Sequence, residues 1–216
     1  CLLDVEDLEE SDFIIPIAMM GAPLIGLEKL LSGKEFHALI QAVQKKWGKR
    51  RYVLMPAEIG GSNAFVPLCV AGAWNLPVLD ADGIGRAFPE LPMCVFHLHG
   101  ICPTPAFVAD SLGRCVEITE GDAAHLETYA RKLAVSFGSS AAIVCYPMPA
   151  SVAKKTVVKG SISQAILLGK TWFASPETNI LAKGVISEIQ QEVRDGFLEG
   201  WVRLDSGFTI FYRNEY

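Results

Sequence analysis

The chain lacks several features that would have fixed its class at once. No run approaches the roughly 18 consecutive apolar residues that a membrane-spanning helix needs, and no charged n-region followed by an apolar h-region opens it. There is no GxxxxGK[ST] phosphate loop, so no nucleotide site is indicated. Basic residues are not in excess. The 19 Lys and Arg are interspersed with 24 Asp and Glu for a formal charge of -5, which argues against nucleic acid or an anionic membrane as the main partner. Internal repeats and low-complexity tracts are absent, and the six cysteines, at positions 1, 69, 94, 102, 115 and 145, form no CxxC pair. Most lie in apolar runs, so buried free thiols in a reducing compartment are expected, and with them a cytoplasmic protein. The chain opens at Cys1 rather than Met, and its natural N-terminus is expected to lie upstream.

What is present is half apolar over 216 residues, enough to bury a real core. Asp12 to Met20 forms an apolar run that suits a buried strand ended by Gly21-Ala22-Pro23. Leu24 to Leu31 suits a short helix. Phe36, Leu39, Ile40, Val43 and Trp47 then recur at helical spacing, with Gly48 as the stop. The basic cluster Lys45, Lys46, Lys49, Arg50 and Arg51 sits at that helix end, where it complements the dipole. Strands are expected at Tyr52 to Met55, Pro77 to Leu79, Met93 to His97 and Ala141 to Met148. Helices are expected from an Asn63 cap through Trp74, from an Asp122 cap with buried stripe Leu126, Tyr129, Ala130, Leu133 and Phe137, and at Ser161 to Lys170. From Gly184 short apolar stretches alternate with turn signals at Asp195-Gly196 and Ser206-Gly207, which read as hairpins. The fold class is therefore α/β, with a layered N-terminal domain on a largely parallel sheet over residues 1–172 and the start of a β-rich C-terminal domain over 173–216.

Chemistry-bearing residues concentrate between Pro56 and Gly100. Ligands of open α/β sheets bind beyond the carboxyl ends of the strands, and three expected strands deliver polar groups there. Gly60-Gly61-Ser62, followed by Asn63, can present backbone amides to an anion or merely turn the chain. Asp80 and Asp82, at i and i+2, can share a proton or a divalent metal, or Asp82-Gly83 can form an Asx turn. Arg86 follows closely and can pair with Glu90 or Asp82. His97 and His99 would share one face of a continuing strand, a spacing suited to zinc, although satisfied structural histidines are the commoner case. His37 and His125 fall on expected helix surfaces.

Five blocks in fixed order, GAPLIGLEK (21–29), PAEIGGSNAFVP (56–67), LPVLDADGIGRAFPEL (76–91), KGSISQAILLGK (159–170) and GFLEGWV with a later NE, resemble the S-methyl thiohydantoin desulfurase family. The resemblance implies an N-terminal α/β domain, a β-rich second domain, and an enzyme that replaces the methylthio group of a hydantoin-type ring with water-derived oxygen, releasing methanethiol. It also implies association with a hydantoinase/oxoprolinase-type protein, either with an active enzyme or with a non-catalytic accessory module as the alternative; a homo-oligomer is the other expectation. The family's glycine-rich opening segment is not found here, and its C-terminal domain continues further than this sequence. By residue type, Glu58, Asp80, Asp82 and Arg86 are the candidate catalytic groups, and Gly60, Gly61, Ser62 and Asn63 the candidate substrate-binding groups. His97 and His99 are the candidate ligands of a divalent metal such as zinc.

Overall fold

The computed structural model describes residues 1–87, 90–175, 180, 182–194 and 197–215. Two compact units divide at Ala165 and Ile166. The first opens with β1 (Leu2–Leu3) and β2 (Phe13–Gly21), helices α1 (Pro23–Glu28) and α2 (Lys34–Trp47), β3 (Tyr52–Pro56), α3 (Val66–Trp74), and the two-residue strands β4 (Val78–Leu79) and β5 (Ala81–Asp82). It continues through α4 (Val95–Leu98), β6 (Ala106–Ala109), β7 (Cys115–Ile118), α5 (Ala123–Ser136), β8 (Ser140–Val144), β9 (Met148–Pro149), α6 (Ala150–Thr156), β10 (Val158–Lys159) and the start of α7 (Ser161–Ala174).

One sheet organises this unit, in the order β1-β4-β3-β2-β8-β6-β7 with β9 also on β2. Its β1-β4-β3-β2 side is parallel, and β8, β6 and β7 extend it antiparallel. Strands covered on both faces read as continuous apolar runs, as Ile14 to Ala18 does. Because side chains alternate between faces, Ile14, Val53, Met55 and Ile143 join one core with Leu126 and Ala130 of α5, while Ile15, Leu54, Phe107 and Val144 join another with Phe36, Leu39 and Val70 of α2 and α3. The result is a layered α/β unit. The second unit carries the antiparallel sheet β11 (Ile186–Arg194), β12 (Phe197–Leu204) and β13 (Thr209–Glu215). Gly207, at φ 84°, makes the turn before β13, whereas the Asp195-Gly196 turn signal lies outside the described residues. No described helix is long and apolar enough to cross a membrane.

Several local expectations are corrected. Met93 to His97 is not a strand: a 3-10 turn at Leu91–Met93 leads into α4. Pro92 sits in that turn, and although Cys94 and Phe96 are buried at the two-residue spacing of a strand, the His99 amide donates to the Val95 carbonyl at 3.0 Å and closes a helical turn instead. The run from Ala141 to Met148 breaks after Val144, where Tyr146 takes φ 50° ahead of Pro147. Tyr129 is 56% exposed, so the buried stripe of α5 runs through Leu126, Ala130 and Ala134. Only Cys94 and Cys145 are buried, and all six thiols are free. The β6–β7 hairpin has no counterpart in the sequence reading. Asp110 closes it by accepting from the amides of Leu112 and Arg114 and from the Arg114 side chain. The Asp122 cap of α5 is as expected, its carboxylate accepting from the His125 amide at 2.9 Å. Exposed His37 and His125 also match.

Candidate functional site

Three of the sequence blocks meet just past the carboxyl end of β3. The Gly83 amide donates to the Ala57 carbonyl at 3.1 Å, which seats the 80–83 segment against the 56–60 segment. A Cβ at Gly83 would fall 2.6 Å from that carbonyl oxygen and 2.8 Å from the Phe96 ring, so only glycine allows the approach. The third block arrives through β10, which pairs antiparallel with β5 and lays Val158 opposite Asp82 and Lys159 opposite Ala81. Asp80 then fixes the start of α7. Its carbonyl accepts from the Gly160 amide at 2.8 Å and its carboxylate from the Ser163 amide at 2.9 Å, a helix cap supplied from a distant strand.

Besides Asp80, which is also buried, this junction holds two further buried carboxylates. Glu58 is 7% exposed and Asp82 fully buried. Burial pushes the Glu58 carboxyl above the usual carboxylate range, and the negative charge of Asp82 pushes the same way, against the pull of the Asn63 amide and the Gly60 N–H. Burial likewise raises Asp82, opposed by the amides of Gly85 and Ile84 and by the neighbouring Ser161 hydroxyl. Asp82 Oδ2 accepts from Ile84 at 3.1 Å and Gly85 at 2.8 Å, so the Asx turn forms. Its other oxygen is different. Asp82 Oδ1 and Ser161 Oγ are buried side-chain atoms with no hydrogen-bond partner, two of three such atoms among the described residues. Orphaned polar atoms of this kind are rare in folded proteins, and the Ser161 hydroxyl lies near enough to Asp82 to stabilise its charge, so the two form one polar spot inside the junction.

The remaining candidates distribute as follows. Gly60 donates its amide to Glu58, and Gly61 opens a 3-10 turn, Gly61–Ala64, at φ 41°. Ser62 is exposed. Asn63 does not cap α3, which starts at Val66 without a side-chain cap. Its side chain instead accepts from the Met19 amide at 2.8 Å and donates to the Met19 carbonyl at 3.1 Å, standing in for a strand partner at the end of β2. Ser62 and Asn63 also line a cavity of about 390 Å³ beside β2. Arg86 is exposed and forms no ion pair with Asp82 or Glu90.

The His97 and His99 premise fails, because these residues occupy a single helical turn and its cap rather than a strand. Two residues apart on a helix they diverge by about 200°, and both are exposed. Among the described residues no group of three or more His, Cys, Asp or Glu could hold a metal ion. Ser161 was missed as an individual residue, although its block was recognised. The signal was a glycine and a serine placed between a two-residue strand and a helix.

Models of the S-Me-THD-like N-terminal domain and the S-Me-THD-like C-terminal domain match residues 1–120 and 121–216. The chain belongs to the S-Me-THD-like family. The S-Me-THD-like division falls just before α5, inside the first compact unit. No curated protein matches the chain. The crystal structure of a protein from Chromobacterium violaceum, 22% identical, matches with a TM-score of 0.75 over 98% of this chain and 65% of that one. This likeness shows the S-Me-THD-like chain's fold alone, and the chain spans just under two thirds of that protein's length.

Proposed function

We propose that this protein is a hydrolase-like enzyme acting on a hydantoin-type ring, replacing an S-methyl group by water-derived oxygen. The observation that carries the proposal is the buried pair Glu58 and Asp82, both held above the usual carboxylate range beside the unpaired Asp82 Oδ1 and Ser161 Oγ. Family membership supports the substrate class.

Two buried carboxyls in mutual repulsion hold one proton between them more readily than none. The ionised member takes a proton from water as its oxygen attacks the sp² ring carbon that bears the sulfur. The C–S bond then breaks, the protonated member delivers its proton to the departing methanethiolate, and the ring carbon becomes a carbonyl as the remaining hydroxyl proton passes to the adjacent ring nitrogen. Water and the S-methyl ring thus give methanethiol and the oxygenated ring, and the pair ends with the one proton it began with. Such acid–base assistance is worth about 10²- to 10⁴-fold. In this reading the Ser161 hydroxyl orients the water, Asp80 holds Ser161 at the start of α7, and the Gly61 amide and Arg86 meet charge growing on the ring. His97 and His99 do not converge, and no step is assigned to a metal.

The test is turnover of an S-methyl thiohydantoin in ¹⁸O-labelled water. One ¹⁸O in the ring product with stoichiometric methanethiol is expected, and unlabelled product would overturn the water-attack step. A second reading, an accessory module for a hydantoinase/oxoprolinase-type enzyme or a self-associating chain, draws on β11. All nine of its residues are exposed and it pairs on one side only. Light scattering of the chain alone and mixed with such an enzyme, alongside the turnover assay, discriminates: a stable complex without turnover favours the accessory role.

A further inference from the structure

The cavity of about 390 Å³ has neither Glu58 nor Asp82 on its lining, adjoins their junction at Asn63, and lies within the size range of small-molecule sites. Met19, Phe36 and Val66 give it apolar walls, and Lys29, Ser62 and Cys69 are also on its lining. Two of the sequence blocks, 21–29 and 56–67, contribute to it. The Met19 main chain that would otherwise present polar groups is already satisfied by Asn63. Lys29 is the remaining strong donor. Its ammonium carries three N–H groups, yet among the described residues it makes one hydrogen bond, to the Phe137 carbonyl at 3.2 Å, and no ion pair. Glu35, the acid of α2's first turn, is committed to Ser32. An under-coordinated cation at the edge of an apolar cavity, in a chain of formal charge -5, is a selective arrangement for an anion with an apolar body, not the by-product of a basic surface.

We infer that this cavity binds a small, ring-sized organic carboxylate, its carboxylate paired with Lys29 and its ring against Met19, Phe36 and Val66. The inference concerns binding alone and stands apart from the ring chemistry. If the same ligand is the substrate, it assigns that substrate an acidic substituent.

Cys69 supplies a direct readout, because it is exposed on the cavity lining while Cys1, Cys102 and Cys115 are exposed away from it. The experiment measures the rate of iodoacetamide labelling at each cysteine by peptide mass spectrometry, with phenylacetate against phenylacetamide and hydantoin-5-acetate against hydantoin-5-acetamide. At a carboxylate concentration about ten times its Kd, labelling of Cys69 slows about tenfold while the other three cysteines are unchanged, and the neutral amides protect far less. Lys29→Met removes the protection and Lys29→Arg retains it. Equal protection by acid and amide, or no protection by either acid, overturns the inference, and neither result requires a variant that folds. Protection by phenylacetate alone would uphold the cavity site and count against the hydantoin-type reading, whereas protection without turnover would separate binding from the proposed chemistry.

Discussion

Substituting Gly60 by alanine tests whether the motif blocks are truly wedged together. The backbone of Gly60 has φ -89° and ψ 146°, which alanine adopts without strain. The obstacle is space alone. An added Cβ would meet the Ala87 Cβ at 2.3 Å, the Glu58 Oε2 at 2.4 Å and the Ala87 Cα at 2.7 Å. Ordinary carbon contacts sit at about 3.5–4.0 Å, so relief demands a shift of roughly an ångström in the Ala87 backbone as well as movement of the carboxylate. Overpacking of that kind costs about 1–3 kcal/mol, offset by about 0.4–1 kcal/mol from the stiffer unfolded chain. A net loss of about 1–2 kcal/mol lowers Tm by roughly 2–8 °C in a protein of this size. Gly61→Ala is the control, since nothing lies within 4 Å and the only obstacle is φ 41°; it costs about 1 kcal/mol. Differential scanning calorimetry of both variants gives the comparison. A Gly60→Ala protein that melts within a degree of wild type, or above Gly61→Ala, would refute the packing argument.

Other outcomes follow from the same junction. Because Glu58 and Asp82 have folded-state pKa values above their unfolded ones, the folded protein binds more protons between those values, so their contribution is most favourable below about pH 4 and declines as pH rises through the folded pKa. Asp82→Asn removes its share of that decline: the Tm difference, variant minus wild type, should increase from pH 4 to pH 8, and a flat or falling difference contradicts the assignment. Asp80→Ala deletes the cap that begins α7 and should cost about 1 kcal/mol in urea unfolding; an unchanged midpoint would mean that Ser163 finds another acceptor. Ser161→Ala removes an unpaired buried hydroxyl and should leave stability within about 0.5 kcal/mol while slowing turnover. An equal loss of both would mark Ser161 as structural.

The sequence made the scaffold legible where burial enforces a period. The Phe13 strand, the α2 stripe ending at Gly48 and the Asp122 cap all appear at or near the expected positions. It misled where short apolar runs carry no decisive period. Met93 to His97 reads as a strand, and its burial at Cys94 and Phe96 even keeps the two-residue period, but Pro92 turns the chain and the His99 amide closes a helical turn on Val95, so the histidines do not share a face. Glu58 and Asp82 were visible as glycine-flanked acids. Their coupling was not, because it depends on Gly83 seating the 80–83 segment against Ala57, and Ser161 joins them only through β10 returning from more than 70 residues away to pair with β5. The same long-range return makes Asp80 a cap for α7, a role that no local pattern around residue 80 encodes. Asn63 is the converse case: a good capping residue locally, drawn off by Met19 on a neighbouring strand.

The most direct test of the central claim is methanethiol release from an S-methyl thiohydantoin by wild type, Glu58→Gln and Asp82→Asn, each first shown to be folded. Release by wild type, with each variant slower by about 10²- to 10⁴-fold, is the predicted result. Release that survives in both variants, or none from folded wild type, would contradict the assignment of the chemistry to this pair.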